Sequence, residues 1–492
     1  MKILTKVCSI LLMFFLLLFT MVEPMDVSAS ATYPSYNYSF WEDTQASPAP
    51  YMPTDILDGI EEDYGRLSSP EDVFVSKDNE VYILDSGNNR IIVVDEDFEF
   101  IQLIEEFRNG SEMDTFNRPE GIFVTDEGHI YVADTNNQRV VHLDSDGTLV
   151  REIGRPESDV IRAGFEYYPR KIAVDKAERI YVVARGVHDG IIEFDSDGIF
   201  KGFYGANRVT FNPIEFLWRT VATRSQRAQM ALFIPIEFNN LDIDGDGFVY
   251  TTNSERDTRT PIQRLNPTGT DVLRREGYHT ITGDLEYATV GNVVGSSTFI
   301  DIDVNEYGMY SALDIRRGRV FTYDEDGNLL YIFGQLGEQR GTFRTPAALA
   351  RLNDDILVLD KGFNRLTRFE PTEFGSLVNL AVMEYNEGND KESADYWGEV
   401  LKLNSNYEVA YIGIGKAHLM DGQSEEALEF FENGFSRQYY SKAYQRHRRD
   451  VMREYFAPAM TSIVVLVLAF FGFKVYRRFK QRGKEGGERS IE

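Results

Sequence analysis

The sequence predicts a mainly β protein: a six-bladed β-propeller, then a small α-helical domain and one C-terminal transmembrane helix. Three observations carry that prediction. A 26-residue pattern recurs six times between residues 70 and 370. After Glu370 the apolar period changes from that of strands to that of helices. Ala457 to Tyr476 is a run of twenty residues with a single charge, Lys474, and as a helix it would span the hydrocarbon core of a bilayer.

The repeat is clearest in IFVTDEGHIYVADTNNQRVVHLDSDG, residues 122–147. It returns without gaps at 73–98 and at 302–327, more loosely from Ile172 and Leu241, and last from Leu349 to Glu370. Each copy holds an alternating apolar strand, a polar turn, a second strand rich in Tyr, Val and Ile, an Asn-rich turn and a third strand. A fourth strand follows in most, as in LVREIG (149–154), KGFYG (201–205) and LLYIFG (329–334). Four short strands about every fifty residues describe propeller blades around a channel; a solenoid of that period would favour helices or β-arches. A ring must also close its last blade, which predicts that part of Tyr51–Ile60 supplies a strand to the sixth.

An Asp and an Arg recur five residues apart, as Asp85 and Arg90, Asp134 and Arg139, Asp314 and Arg319, and Asp360 and Arg365. A carboxylate at a strand end serves turn N–H groups, and an Arg across the hairpin can fork to it. Such a pair copied into four blades is a fold feature, not an active site. Ala184 and Asn253 replace the Asp in copies three and four, which predicts irregular turns there.

With FNRPEGIFV (116–124), YVADTNNQRV (131–140) and GQLGEQRGTFRTP (334–346), residues 70–370 resemble the NHL-repeat family of six-bladed propellers. The resemblance implies fold far better than activity, since such propellers host binding modules, lyases and lactonases.

Residues 1–31 have Lys2 and Lys6, an apolar run from Ile10 to Phe19 and a small-residue site at Ala29-Ser30-Ala31, the pattern of a secretory signal peptide. Cys8, the only cysteine, falls before the apolar run, so the mature chain is expected to lack disulfides. Residues 32–69 precede the ring, with Tyr and Pro enriched. An insertion at 212–235 reads as a helix capped at Asn212-Pro213, carrying Arg219, Arg224 and Arg227 as candidate contacts for a partner or anion. Residues 374–456 hold two units offset by 34, pairing Gly388 with Gly422, Ser393 with Ala427 and Trp397 with Phe431. These resemble tetratricopeptide repeats, although Lys391 and Gly413 fit that consensus poorly. Residues 477–492 form a basic tail expected in the cytoplasm, with the ectodomain outside the cell membrane.

The formal net charge is −28, and the basic C-terminal region leaves about −35 on residues 32–441. That excludes a nucleic-acid backbone as a partner. Asp242-Ile-Asp244-Gly-Asp246-Gly247 begins like a calcium loop, but Asn253 stands where a bidentate Glu is needed. No nucleophile elbow, P-loop or HExxH motif appears, and His129, His142, His188 and His279 sit at non-equivalent repeat positions. By resemblance to gluconolactonase-like propellers, the channel-rim candidates are Glu71, Asp72, Glu120, Arg170, Lys171, Asn239, Asn240 and Asp301, with two cations among the acids. The leading expectation is therefore a membrane-anchored scaffold without cofactor or resident metal, binding a protein or ligand through its propeller and helical repeats as an accessory to a transporter or envelope complex. The second is a metal-dependent lactonase or esterase at the channel.

Overall fold

A computed structural model of the chain describes residues 33–488, apart from 61–63, 159–160, 162–163, 206–236, 254–259, 286–288 and 291–292. The expected signal segment and the inserted helix with Arg219, Arg224 and Arg227 lie outside the described residues.

Six antiparallel sheets form the ring of blades. Blade 1 is Asp72–Val75, Val81–Asp85, Arg90–Val94 and Phe100–Ile104. Blade 2 is Gly121–Val124, Ile130–Asp134, Arg139–Leu143 and Leu149–Ile153. Blade 3 is Pro169–Val174, Ile180–Ala184, Ile191–Phe194 and Phe200–Tyr204. Blade 4 has three strands among the described residues, Phe238–Ile243, Val249–Asn253 and Ile262–Leu265. Blade 5 is Phe299–Val304, Tyr310–Asp314, Arg319–Tyr323 and Leu329–Phe333. Blade 6 takes Pro346–Leu352, Asp355–Asp360 and Arg365–Pro371 from the end of the ring, and its outer strand is Tyr51–Leu57 from the beginning. That N-terminal strand covers the edge that an open ring would leave exposed.

Burial follows position within a blade. Middle strands such as Val81–Asp85 and Arg90–Val94 are buried at every residue, because both faces meet a neighbouring blade. Outer strands such as Leu149–Ile153 are only partly buried. The core thus consists of blade-to-blade seams: Val73, Ile83 and Ile92 meet Ala348, Leu357 and Leu366 where blades 1 and 6 join. Aromatic rings fill the seam between blades 5 and 6, with Tyr51 and Phe333 centred 5.0 Å apart and Phe333 and Phe369 5.2 Å apart.

The repeated aspartates do serve turns. Asp85 accepts from the Ser68 amide, Asp134 from Asn117, Asp314 from Thr298, and Asp360 from Arg344 and Thr345. The expected ion pair is present in two copies, through Nε alone and not as a two-pronged fork, with Arg90 Nε 2.8 Å from Asp85 and Arg139 Nε 2.8 Å from Asp134. In blade 5 it is not. Arg319 turns instead to the fully buried Asp284 at 2.5 Å, which also receives Tyr36 at 2.6 Å, Tyr38 at 2.8 Å and Arg317 at 3.2 Å. In blade 6 Arg365 faces Asp360 across the ladder but donates to the Thr342 carbonyl. The Asp284 cluster ties the hairpin of Tyr36–Tyr38 and Thr44–Ala46 to blade 5, where Asn37 also donates to the Leu330 carbonyl.

Five helices follow: α1 Glu373–Glu387, α2 Asp390–Leu403, α3 Glu408–Met420, α4 Ser424–Asn433 and α5 Arg437–Glu488. Thr372 caps α1 by accepting from the Gly375 amide. Gly388 and Gly422, 34 residues apart, both take the left-handed conformation that ends a helix. Gly413, a poor fit to the tetratricopeptide consensus, has its own reason. A Cβ there would lie 2.2 Å from Trp397 Nε1, so the glycine lets the α2 indole lie against α3.

α1 and α3 form an inner layer against the propeller, and α2 and α4 stand outside it. Tyr331 donates to Asn379, Asn379 donates to Tyr51, Tyr407 donates to the Leu330 carbonyl, and Asn386 donates to the Tyr307 carbonyl. Lys416 is the charged anchor of this joint, buried with its Nζ 2.7 Å from Asp326 and between the rings of Tyr385 and Tyr439. Removing one partner of a buried ion pair leaves the other uncompensated. Lys416→Ala is therefore expected to lower stability by about 3 kcal/mol and to speed hydrogen exchange in α1 and α3 more than in blades 1 to 3. Uniform exchange changes across the chain would refute a role in the joint.

Candidate functional site

The first strand of each blade lines the central channel. Register places Asp72, Gly121, Lys171, Asn240, Asp301 and Ala348 at equivalent positions, one per blade. Two residues on, by the period of a strand, come Phe74, Phe123, Ala173, Asp242, Asp303 and Ala350. In blades 3 to 6 the pairing skips one residue just before the upper ring, and the skipped residues include Arg170 and Asn239. This bulge separates the predicted pairs: Lys171 and Asn240 enter the channel while Arg170 and Asn239 stay at its rim. Gly121 has no side chain for a steric reason, since a Cβ would lie 2.2 Å from the Arg170 carbonyl of the next blade.

At the rim, Glu71 meets Lys361 of blade 6 at 3.1 Å. Glu120 receives Arg170 at 3.1 Å and Arg185 at 2.5 Å, both from blade 3. Inside, Lys171 Nζ stands 2.5 Å from Asp72 Oδ1 and 3.6 Å from Asp301 Oδ1. One layer along the strands, Arg351 Nε lies 3.5 Å from Asp303. The channel-lining carboxylates also join blades through their second oxygens. Asp72 accepts from the Ile122 amide, Asp301 from Leu349, Asp242 from Val304 and Asp303 from Arg351.

Structure thus brings together Asp72, Lys171, Asn240 and Asp301, and separates them from Glu71, Glu120 and Arg170, which form ion pairs at the rim. Asp242, Asp303, Arg351, Phe74 and Phe123 complete the wall. Stepping two residues from each upper-ring position would have found Phe74, Phe123, Asp242 and Asp303. Arg351 arrives from the opposite strand parity, and Lys361 and Arg185 from second turns. Those placements depend on the ring. The calcium reading of 242–247 meets a different arrangement. Asp244 accepts from the Asp246 and Phe248 amides and pairs with Arg264 at 2.9 Å, while Asp242 faces the channel.

Four carboxylates and two cations share this channel, and their acidities shift accordingly. Burial pushes the Asp301 carboxyl up to about 7, against the pull of the Lys171 ammonium. Burial, then repulsion from Asp303, pushes Asp242 well above the usual carboxylate range. Burial also raises Asp72 despite Lys171. For Lys171 burial works downward, but Asp301 and Asp72 outweigh it and hold the ammonium protonated. Among the described residues, no group of three or more His, Cys, Asp or Glu side chains is arranged to hold a metal ion.

Residues 116–143, the end of the blade 1–2 connection and most of blade 2, match the NHL repeat. No curated protein matches the chain. Solved structures with similar folds include a streptogramin B lyase at 12% identity, covering 62% of this chain and 94% of that one, with a TM-score of 0.39. A catalytically inactive virginiamycin B lyase from Staphylococcus aureus, determined with quinupristin, shares 13% identity over 64% of this chain and 87% of its own, with a TM-score of 0.40. A structural genomics protein of unknown function from Bacteroides thetaiotaomicron shares 12% identity over 69% and 76%, also with a TM-score of 0.40.

The raised pKa of Asp301 has a definite sign in stability. A carboxyl held at about 7 in the fold and near 3.8 when unfolded is neutral in both states at low pH and costs the fold increasingly as pH rises between those values. Asp301→Asn retains an oxygen for the Leu349 amide and removes this cost. The melting midpoint of the variant relative to the unaltered protein should therefore rise between pH 4 and about 7 and level off above. A difference that stays flat across this range would show that Asp301 ionises normally.

Proposed function

We propose that this protein is a membrane-anchored binding scaffold that presents the rim face of its propeller, away from the membrane, to a protein partner. The observation that carries this reading is the side on which the helices attach. Tyr307 and Asp326, which hold α1 and α3, lie in the first and last turns of blade 5. Glu71, Glu120, Arg185 and Lys361 lie in connections at the other ends of the strands, and Arg170 lies at that end of the first strand of blade 3. The rim and the helical repeats are therefore on opposite faces, and the only described helix long and apolar enough to cross a membrane continues from those repeats.

The inner face of α1 and α3 is already used by the propeller, so recognition is assigned to the propeller and not to the helical repeats. A metal-dependent hydrolase at the channel fits the residues less well. The Lys171 ammonium stands between Asp72 and Asp301, where a divalent ion would need those oxygens, and it repels one.

Cysteine scanning tests the orientation directly, because the only native thiol is Cys8. An impermeant maleimide should label Arg185→Cys in intact cells stripped of wall, and Lys480→Cys only after permeabilisation. Crosslinkers placed at Arg185→Cys and Lys361→Cys should trap a shared adduct that probes on α2 and α4 do not. Labelling in the reverse order, or adducts only from α2 and α4, would overturn the proposal.

A further inference from the structure

Beyond the display of a rim, the channel interior has its own chemistry. It is a cavity of about 80 Å³, open to solvent, with an aromatic and a polar part to its wall. Blades 1 and 2 contribute Phe74 and Phe123, with ring centroids 5.0 Å apart. Blades 3 to 5 contribute Lys171, Asn240, Asp301, Asp242 and Asp303, and blades 1 and 6 add Asp72 and Arg351 to the polar part.

Asn240 is the telling residue. It is only 2% exposed, and its Oδ1 accepts from the Leu241 amide, yet its Nδ2 has no hydrogen-bond partner among the described residues. In blade 5, at the equivalent position beside it, Asp301 uses Oδ2 for the Leu349 amide, is also served by the Ile302 amide, and has Lys171 at 3.6 Å from Oδ1. An amide donor that no protein group engages and that is not sealed from the channel thus neighbours a carboxylate on the same wall, and Lys171 has N–H groups beyond the one given to Asp72. Polar groups that face a channel in this way can be answered by a ligand carrying matching donors and acceptors.

We propose that the channel binds a polyhydroxylated ligand, a sugar residue, with Asn240 and Asp301 engaging one hydroxyl, Lys171 a neighbouring one, and Phe74 and Phe123 the apolar C–H face. A hydroxyl both donates and accepts, so one such group can answer the amide and the carboxylate together. A metal ion cannot, because Asn240 Nδ2 and Lys171 offer donors. A simple anion is opposed by four carboxylates, and burial already holds Asp301 and Asp242 toward their neutral forms, which suits an uncharged ligand. The cavity is distinct from the rim ion pairs, so it can fail while the scaffold reading stands.

The test is saturation-transfer NMR and calorimetry on the full-length protein in nanodiscs, titrated with glucose, galactose and N-acetylglucosamine. At least one should bind saturably in the millimolar range. Asp301→Asn and Asn240→Asp each retain the oxygen that accepts a backbone amide, and each should weaken that binding about ten-fold, the worth of one well-placed hydrogen bond. Circular dichroism serves as the check that each variant folds. Phe123→Leu, which leaves the polar wall intact, should weaken binding through lost stacking even if a polar variant misfolds. Absence of saturable binding to all three sugars would overturn the proposal. So would sugar binding untouched by the variants, or calcium binding that Asp301→Asn abolishes while no sugar binds.

Discussion

Closure of the ring is the constraint on which the rest depends. Blades contact only their neighbours, so each seam is stable only when both sides are present, and the last blade needs a partner for its outer edge. Tyr51–Leu57 supplies that edge from the N-terminal side, hydrogen-bonded to Arg365–Pro371. The same strand places Tyr51 where its hydroxyl receives Asn379 of α1. Closing the propeller and docking the first helix therefore share one residue. Pairing the two ends of the ring also demands a contact across more than 300 residues, which carries a loop-closure cost that only the completed seams offset.

Around the channel, closure has an electrostatic consequence. Six first strands converge, and wherever one carries an Asp its carboxylate can reach the amide of the next blade, as Asp72, Asp242, Asp301 and Asp303 all do. Those bonds stitch adjacent blades, but they gather four carboxylates in one channel. Lys171 and Arg351 balance half of that charge, and burial moves part of the remainder toward neutrality. Groups that join the blades thus also set the polarity of the channel wall. A ligand entering it meets side chains already held by backbone amides, and this preorganisation lowers the ordering cost of binding.

Much of this architecture was legible because repetition writes the same local physics six times. Strand number, the blade 6 closure and the turn-serving role of Asp85 and Asp134 follow from a period-two pattern and known turn chemistry. The candidate site was half legible. Glu71 with Asp72, and Arg170 with Lys171, are adjacent in sequence and point to different places, and only the bulge and the register separate them in blade 3. Arg319 illustrates a second limit. Its predicted partner Asp314 is local, but Asp284, Tyr36 and Tyr38 outbid it from segments that the repeat pattern does not cover. Gly413 illustrates a third, for its fitness depends on the indole of Trp397 from another helix.

The helical repeats are best understood as a rigid joint. Their inner layer carries Asn379, Tyr407 and Lys416 into the propeller, so the face that would line a groove in a free-standing array is already covered. α5 then packs on α4 through Ala443 and sends Arg446 to the Leu419 carbonyl before leaving the body. From Arg437 to Phe456 it rises about 30 Å, at 1.5 Å per residue, before the apolar run begins. In the proposed arrangement that length is nearly four Debye lengths of about 8 Å at ~0.15 M salt. An acidic propeller held at that distance feels little of an anionic bilayer, and the basic residues Lys442, Arg446, Arg448, Arg449 and Arg453 lie between the two. Pro458, inside α5 at the start of the apolar run, removes one helical hydrogen bond at the boundary. Bending is therefore cheapest where stalk meets membrane, and the body would tilt as one unit, with its rim still directed away from the surface.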